Sequence, residues 1–245
     1  MRSIRATLSF VCMFGSTVYA QDDCRKEIHQ LLSDTQKDIP GSPRGAFRTK
    51  MQIITIPRDK SEPASTEVIV VTAGDGRSIM ENQFFKILED KENRVIMMPK
   101  DSIVYIYDQI DMVETVMFDL WEKKMKLVLD KGEVTSCNTV IANGVERFEV
   151  TLSYPPGSEA SMLKQLKIVM DRTRRKPISI QADYHAGSNI RRQTITYLTY
   201  DLGFYDPRLT QRAVDLVLDQ NGSLIGHVGF TLRDLRAKGT DVVNP

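Results

Sequence analysis

The chain has 245 residues, with 33 basic and 32 acidic side chains and a formal net charge of +1. That balance excludes strong electrostatic capture of nucleic acid as a property of the whole chain. Its length suits one β-rich domain, or at most two small ones, behind a short N-terminal leader.

Arg2 and Arg5 precede the uncharged, largely apolar stretch Ala6–Val18, and Val18-Tyr19-Ala20 places small or medium residues where signal peptidase cuts. The stretch is short for a membrane span, and its structural alternative is a buried N-terminal helix. Residues 1–20 are therefore expected to be an export signal and residues 21–245 a single domain. Cys12 and Cys24 lack the small-residue context of a lipoprotein cleavage site, so no lipid anchor is expected. In an oxidising compartment Cys24 and Cys137 could pair; they could equally be buried thiols.

Asp22–Thr35 has Cys24, Ile28, Leu31, Leu32 and Thr35 on one helical face, and the cluster at 39–45, IPGSPRG, ends it. Strand patterns follow at Phe47–Ile56 and Val68–Thr72, with a tight turn at Gly74-Asp75-Gly76 and a further run starting at Ser78–Met80. Residues 83–108 hold three β-like runs, Phe84–Leu88, Val95–Met98 and Ile103–Tyr107, joined by the turn residues Asp90–Asn93 and Pro99–Asp101. These runs are apolar at neighbouring as well as alternate positions, so both faces are expected to be covered. Asp111–Lys124 changes period: Met112, Val116 and Leu120 recur every four residues, which reads as a short amphipathic helix, although Val113–Phe118 could also be a strand.

Strand rhythm returns at Met125–Leu129, Val134–Ile141, Val145–Tyr154, Leu163–Met170, Ile178–His185 and Ile190–Tyr200. Asn143-Gly144 is the strongest hairpin signal among them, and the short connections favour antiparallel neighbours. In the tail, Pro207–Val217 reads as a helix, or Val214–Leu218 pairs with Leu224–Val228 across Asn221-Gly222.

Catalytic signatures are missing from the sequence. His29, His185 and His227 lie far apart, and no GxSxG, CxxC, phosphate loop or HExxH occurs. No metal, cofactor or enzymatic activity is expected, and carboxylates meeting from distant segments would be needed for a hydrolase. The basic run Arg172, Arg174, Arg175 and Lys176 sits in a hairpin turn. It could dock an acidic partner or anionic headgroups, or simply be a solvated turn that resists edge-to-edge association. Nine methionines, among them Met51, Met80, Met97, Met112 and Met125, lie within or beside apolar runs. Such side chains fill cores and also line surfaces that accept varied apolar partners.

Three segments carry a resemblance: PKDSIVYIYD (99–108), LKQLKIVMD (163–171) and KPISIQADYHAGSNIRRQTITY (176–197). They resemble the turn-plus-aromatic strand and the consecutive late strands of the LolA-type periplasmic lipoprotein carriers. Asp101-Ser102 stands where that family has Asp-Gly-Lys, and Tyr105 where Trp is frequent. The Arg-Pro segment before the central strands is missing, so the family's lid-contacting arginine is assigned to no residue here.

The resemblance implies a mainly β, α+β fold: a curved antiparallel sheet or incomplete β-barrel, with helices covering its concave face. It also implies a periplasmic protein binding a lipid or lipoprotein acyl chain in an apolar cavity, with a membrane-associated protein as a further partner. Expected cavity residues on strands are Met51, Ile53, Val70, Phe85, Ile87, Met97, Tyr105 and Tyr107; on the lid they are Met112, Val116, Leu120 and Trp121. The competing expectation is an interaction or sensor module on the same scaffold, with a packed core and no transported ligand.

Overall fold

The computed structural model describes residues 21–35, 45–108, 125–157, 162–204 and 206–236. The β-branched and aromatic runs form strands, and every hairpin pairs consecutive ones. The first meander comprises β1 (Phe47–Pro57), β2 (Ser65–Gly74), β3 (Arg77–Glu81), β4 (Lys86–Glu89), β5 (Asn93–Met98) and β6 (Ile103–Asp108). The second comprises β7 (Glu133–Ala142), β8 (Val145–Ser153), β9 (Leu163–Asp171), β10 (Lys176–Tyr184) and β11 (Ile190–Leu202). Asp75-Gly76 and Asn143-Gly144 turn two of the hairpins with positive φ at both residues, the backbone that matches strand twist in a two-residue loop.

Antiparallel pairing of β1 with β11 fuses the two meanders, with register shifts at Lys50/Met51 and Ile56/Pro57. A short strand, β12 (Thr231–Asp234), adds to β6 in parallel. The result is one mixed sheet of 12 strands in the order β12-β6-β5-β4-β3-β2-β1-β11-β10-β9-β8-β7. It is curved and not closed into a barrel.

Register explains which face is apolar. One concave row runs Cys137, Val150, Ile168, Ile180, Ile195, Ile53 across six strands. A second runs Thr49, Val71, Met80, Ile87, Ile96, Tyr105. Over the β7–β10 part of this face lies the helix α1 (Gln21–Asp34), which buries Cys24, Ile28 and Leu31 at the spacing of one helical face. Beside it is a second helix, α2, over residues 125–131. The strand expected at Met125–Leu129 is thus helical. Alternation would have put Leu127 on the face of Met125 and Leu129; instead those two are buried and Leu127 is 52% exposed, the i, i+4 pattern of a helix.

Both helices are fastened. Cys24 and Cys137 form a disulfide that ties α1 to β7. The Arg25 guanidinium donates to the carbonyls of Leu129, Asp130 and Gly132 at 2.5–2.8 Å, placing a cation on the negative end of α2. The Tyr154 hydroxyl donates to the Val128 carbonyl at 2.9 Å. Gly132 is required where the chain leaves α2, because a Cβ there would meet the Tyr154 ring at 2.8 Å and Leu152 at 2.9 Å.

A second core occupies the convex side of β3–β6. Ile79, Leu88, Val95, Met97, Val104 and Ile106 pack under Leu209, Ala213, Val214 and Val217 of the C-terminal segment. This is why the runs in 83–108 are apolar on both faces. The tail takes neither of the expected forms in full. It makes two 3-10 turns, Pro207–Thr210 and Val214–Leu216, and a single bridge between Leu218 and Leu224, then forms β12. Asp206 opens it, accepting from the Arg208 amide at 3.0 Å. Asp90, 3% exposed, holds it down: one carboxylate oxygen accepts from the amides of Glu92 and Asn93, and the other from the Ala213 amide at 2.6 Å.

Replacing Cys24 with Ser should lower stability by about 2–4 kcal/mol, and peptide mapping without reductant should show the peptides of Cys24 and Cys137 linked in the parent protein. Asp90→Ala should cost about 1–3 kcal/mol and raise hydrogen exchange at the Ala213 amide selectively, leaving the amides of β8 and β9 protected.

Candidate ligand cavity

The helices cover β7–β10, whereas the concave side chains of β1–β3 join neither core. Between these strands and the helices lies a cavity of about 720 Å³. Met51 and Ile53 of β1, Ile69 and Val71 of β2, and Met80 of β3 form one wall. Ile180, Ile195, Tyr197 and Tyr200 continue that wall across β11 and β10, and Leu32, Met125 and Leu129 roof it. His29, Ser33, Lys126 and Asp130 mark the side where the two helices meet, and His29 Nε2 lies 3.0 Å from an Asp130 carboxylate oxygen there.

Polar groups of the wall are mostly committed to the protein. The Thr49 hydroxyl donates to the Thr199 carbonyl at 2.9 Å, and the Tyr200 hydroxyl to the Thr35 carbonyl at 3.3 Å. Ser78 donates to Glu89 at 3.1 Å. The buried Glu89 carboxylate is itself paired with the Arg94 guanidinium, which meets the cost of burying a charge beside the cavity. Burial pushes the Tyr197 and Tyr200 hydroxyls above the ordinary phenol range, so both remain protonated donors at neutral pH. Among the described residues no group of three or more His, Cys, Asp or Glu is placed to hold a metal ion.

Of the residues expected to line the cavity, Met51 and Ile53 do so. Val70 does not. It pairs with Lys50 on the convex side, while its neighbours Ile69 and Val71 point inward; a one-residue error in register exchanges the faces. Met97 lies in the convex core. Phe85 belongs to the β3–β4 turn, its amide held by the Asn82 side chain at 2.9 Å. Ile87, Tyr105 and Tyr107 are on the concave face, yet outside the cavity lining: Ile87 pairs with Met80 and Ile96, and the two tyrosines stack at 6.1 Å on β6. Met112, Val116, Leu120 and Trp121 fall outside the described residues.

The basic turn has inward duties. Arg172 contacts Glu27 of α1 at 2.8 Å and Glu146 at 2.9 Å, and Arg175 contacts Asp34 of α1 at 2.9 Å. Lys176 donates to the Tyr200 carbonyl. Arg174 and Arg175 are both exposed, and Arg174 lies 3.9 Å from Asp171. The turn thus seats α1 on the sheet through Arg172 and Arg175. Ile69, Val71, Ile180, Ile195, Tyr197 and Tyr200 line the cavity without having been expected to; alternation within β2, β10 and β11 signals the first five, whereas Tyr200 reaches the same face only through the register shift opposite Lys50/Met51. Arg172→Ala should therefore lower stability by about 1 kcal/mol in urea unfolding, whereas a turn serving only an outside partner would leave the midpoint unchanged.

No protein-family model and no curated protein sequence matches the chain. Similar solved structures include an uncharacterized conserved protein from Thermus thermophilus, at 7% identity and a TM-score of 0.46, covering 84% of this chain and 99% of that one. A LolA superfamily protein from Nitrosomonas europaea is similar at 9% identity and a TM-score of 0.31, covering 79% and 98%. The Pseudomonas aeruginosa MucA/MucB complex is similar at 10% identity and a TM-score of 0.40, covering 78% and 62%. At these values the matches carry no function over to this chain. The solved structures similar to the chain thus include a member of the LolA superfamily, the family that residues 99–108, 163–171 and 176–197 resemble in sequence.

Proposed function

We propose that this chain is a non-enzymatic carrier that takes up the acyl chain of a lipid or lipoprotein in the cavity between the concave sheet and the two helices. The observation that carries this is the aliphatic, methionine and tyrosine wall around about 720 Å³ that no described residue fills. That volume lies within the roughly 300–1,000 Å³ of small-ligand sites. A packed module would bury the same residues against one another, as β8 and β9 do. The two methionines of the wall adapt to chains of different shape. With the N-terminal leader, the assignment is a periplasmic protein whose mature form begins at Gln21, and the membrane-bound source and destination of its cargo are the natural partners.

A second function, a protein-interaction module, is favoured by one observation. β7 is an edge strand of ten residues with Ile141 81% exposed, and such an edge can accept another strand.

Mass spectrometry of an organic extract decides between them. The exported protein should bring lipid with it and have the intact mass of a chain starting at Gln21. Ile53→Trp, which fills the cavity, should abolish the co-purified lipid, whereas Val70→Trp on the opposite face should retain it. A lipid-free parent protein, or equal lipid in both variants, would sink the carrier assignment.

A further inference from the structure

Apart from Ser33 at the junction of the helices, the described lining of the cavity offers a ligand one unspent hydroxyl. Thr35, Thr49, Ser78 and Tyr200 each direct their donor to a protein acceptor. Tyr197 makes no hydrogen bond to any described residue. It stands on β11 opposite Met51 of β1, lines the cavity, and has its ring 6.1 Å from that of Tyr200 in an edge arrangement. A hydroxyl in an apolar wall is costly when left unpaired, so a ligand that brings an acceptor to it gains more than one that brings only hydrocarbon. Desolvation, and the neighbouring Tyr200 after it, push its pKa up, and the phenol stays a donor at every physiological pH.

The surroundings also constrain the acceptor. A carboxylate brought to Tyr197 would be stripped of water, which costs several kcal/mol unless a cation meets it. Among the described residues, the cations near the cavity are placed at its mouth or are already paired. Lys126 is exposed at the junction of the helices beside His29 and Asp130, and Arg94 is already paired with the buried Glu89 behind Ser78. A carbonyl accepts the same hydrogen bond without carrying charge into the cavity.

Building on the carrier assignment, we propose that Tyr197 is the polar anchor of the site and that it selects acyl chains with a neutral ester or amide carbonyl over free fatty acids. The ester or amide oxygen accepts from the Tyr197 hydroxyl while the hydrocarbon lies along Met51, Ile53 and Ile195. No covalent step is involved.

Displacement of Nile red from the delipidated mature protein tests this, using methyl laurate, laurate and tridecane as competitors. Methyl laurate should displace the dye at a concentration about tenfold lower than laurate. Tyr197→Phe should weaken methyl laurate about 3- to 10-fold, the loss of one hydrogen bond, and leave dye and tridecane unchanged. That invariance also shows that the variant is folded. Equal affinities of laurate and methyl laurate, or a Tyr197→Phe variant that binds methyl laurate as the parent does, would overturn the anchor while dye and tridecane binding upholds the cavity. If neither the dye nor tridecane binds the parent protein, the carrier assignment fails and the anchor fails with it.

Discussion

The seating of α1 over one half of the sheet is the constraint on which the rest of the molecule depends. The apolar concave face extends over more strands than α1 and the described residues 125–131 of α2 cover. The bond from Cys24 to Cys137 fixes the beginning of α1 over β7, and Arg172 and Arg175 hold its middle and end through Glu27 and Asp34. Arg25 then holds the end of α2 beside it. With both helices drawn toward β7–β10, the inward side chains of β1–β3 face a volume that no described residue fills. The cavity is thus a by-product of where the helix is anchored as much as of which residues line it.

The opposite end of the sheet solves the complementary problem. A curved sheet with an apolar concave face needs its convex face wetted or covered, and β3–β6 carry Leu88, Val95, Val104 and Ile106 there. A C-terminal segment of turns, pinned through its Ala213 amide by Asp90, covers them. Helical periodicity is not needed for this task, because isolated Leu and Val side chains on a turn-rich strap fill the grooves between strands. The concave row through Met80, Ile87, Ile96 and Tyr105 is thereby held on a rigid support, one face committed so that the other can stay free.

Much of the fold was legible in the sequence. The period-2 runs, the Asn143-Gly144 turn and the face of Cys24, Ile28 and Leu31 each reflect local chemistry, and local chemistry is what one sequence displays. Three things were not legible, each for a physical reason. Residues 125–129 contain five positions, too few for a helical period to be told from an alternating one. β12 pairs in parallel with a strand more than a hundred residues earlier, and no turn residue announces such a contact. The inward or outward sense of Val70 against Val71 is settled only by the pairing with Lys50 and Thr49. The same limit hid Tyr197, whose importance comes from what its neighbours do with their hydroxyls rather than from its own surroundings in the chain.

The pairing of β1 with β11 has a kinetic side. Each meander can zip up from its own hairpins with short loop closures, but the seam between them joins Thr49 to Thr199, 150 residues apart. Closing so long a loop is entropically slow compared with forming a hairpin. During that interval two half-sheets would each present an open edge and half of the concave wall to solvent. The cavity has no existence until the seam closes, since Met51 and Tyr197 come from opposite sides of it. Formation of the cavity and completion of the sheet are therefore a single late event for this chain, and a newly made molecule passes through a stage with two open sheet edges before it.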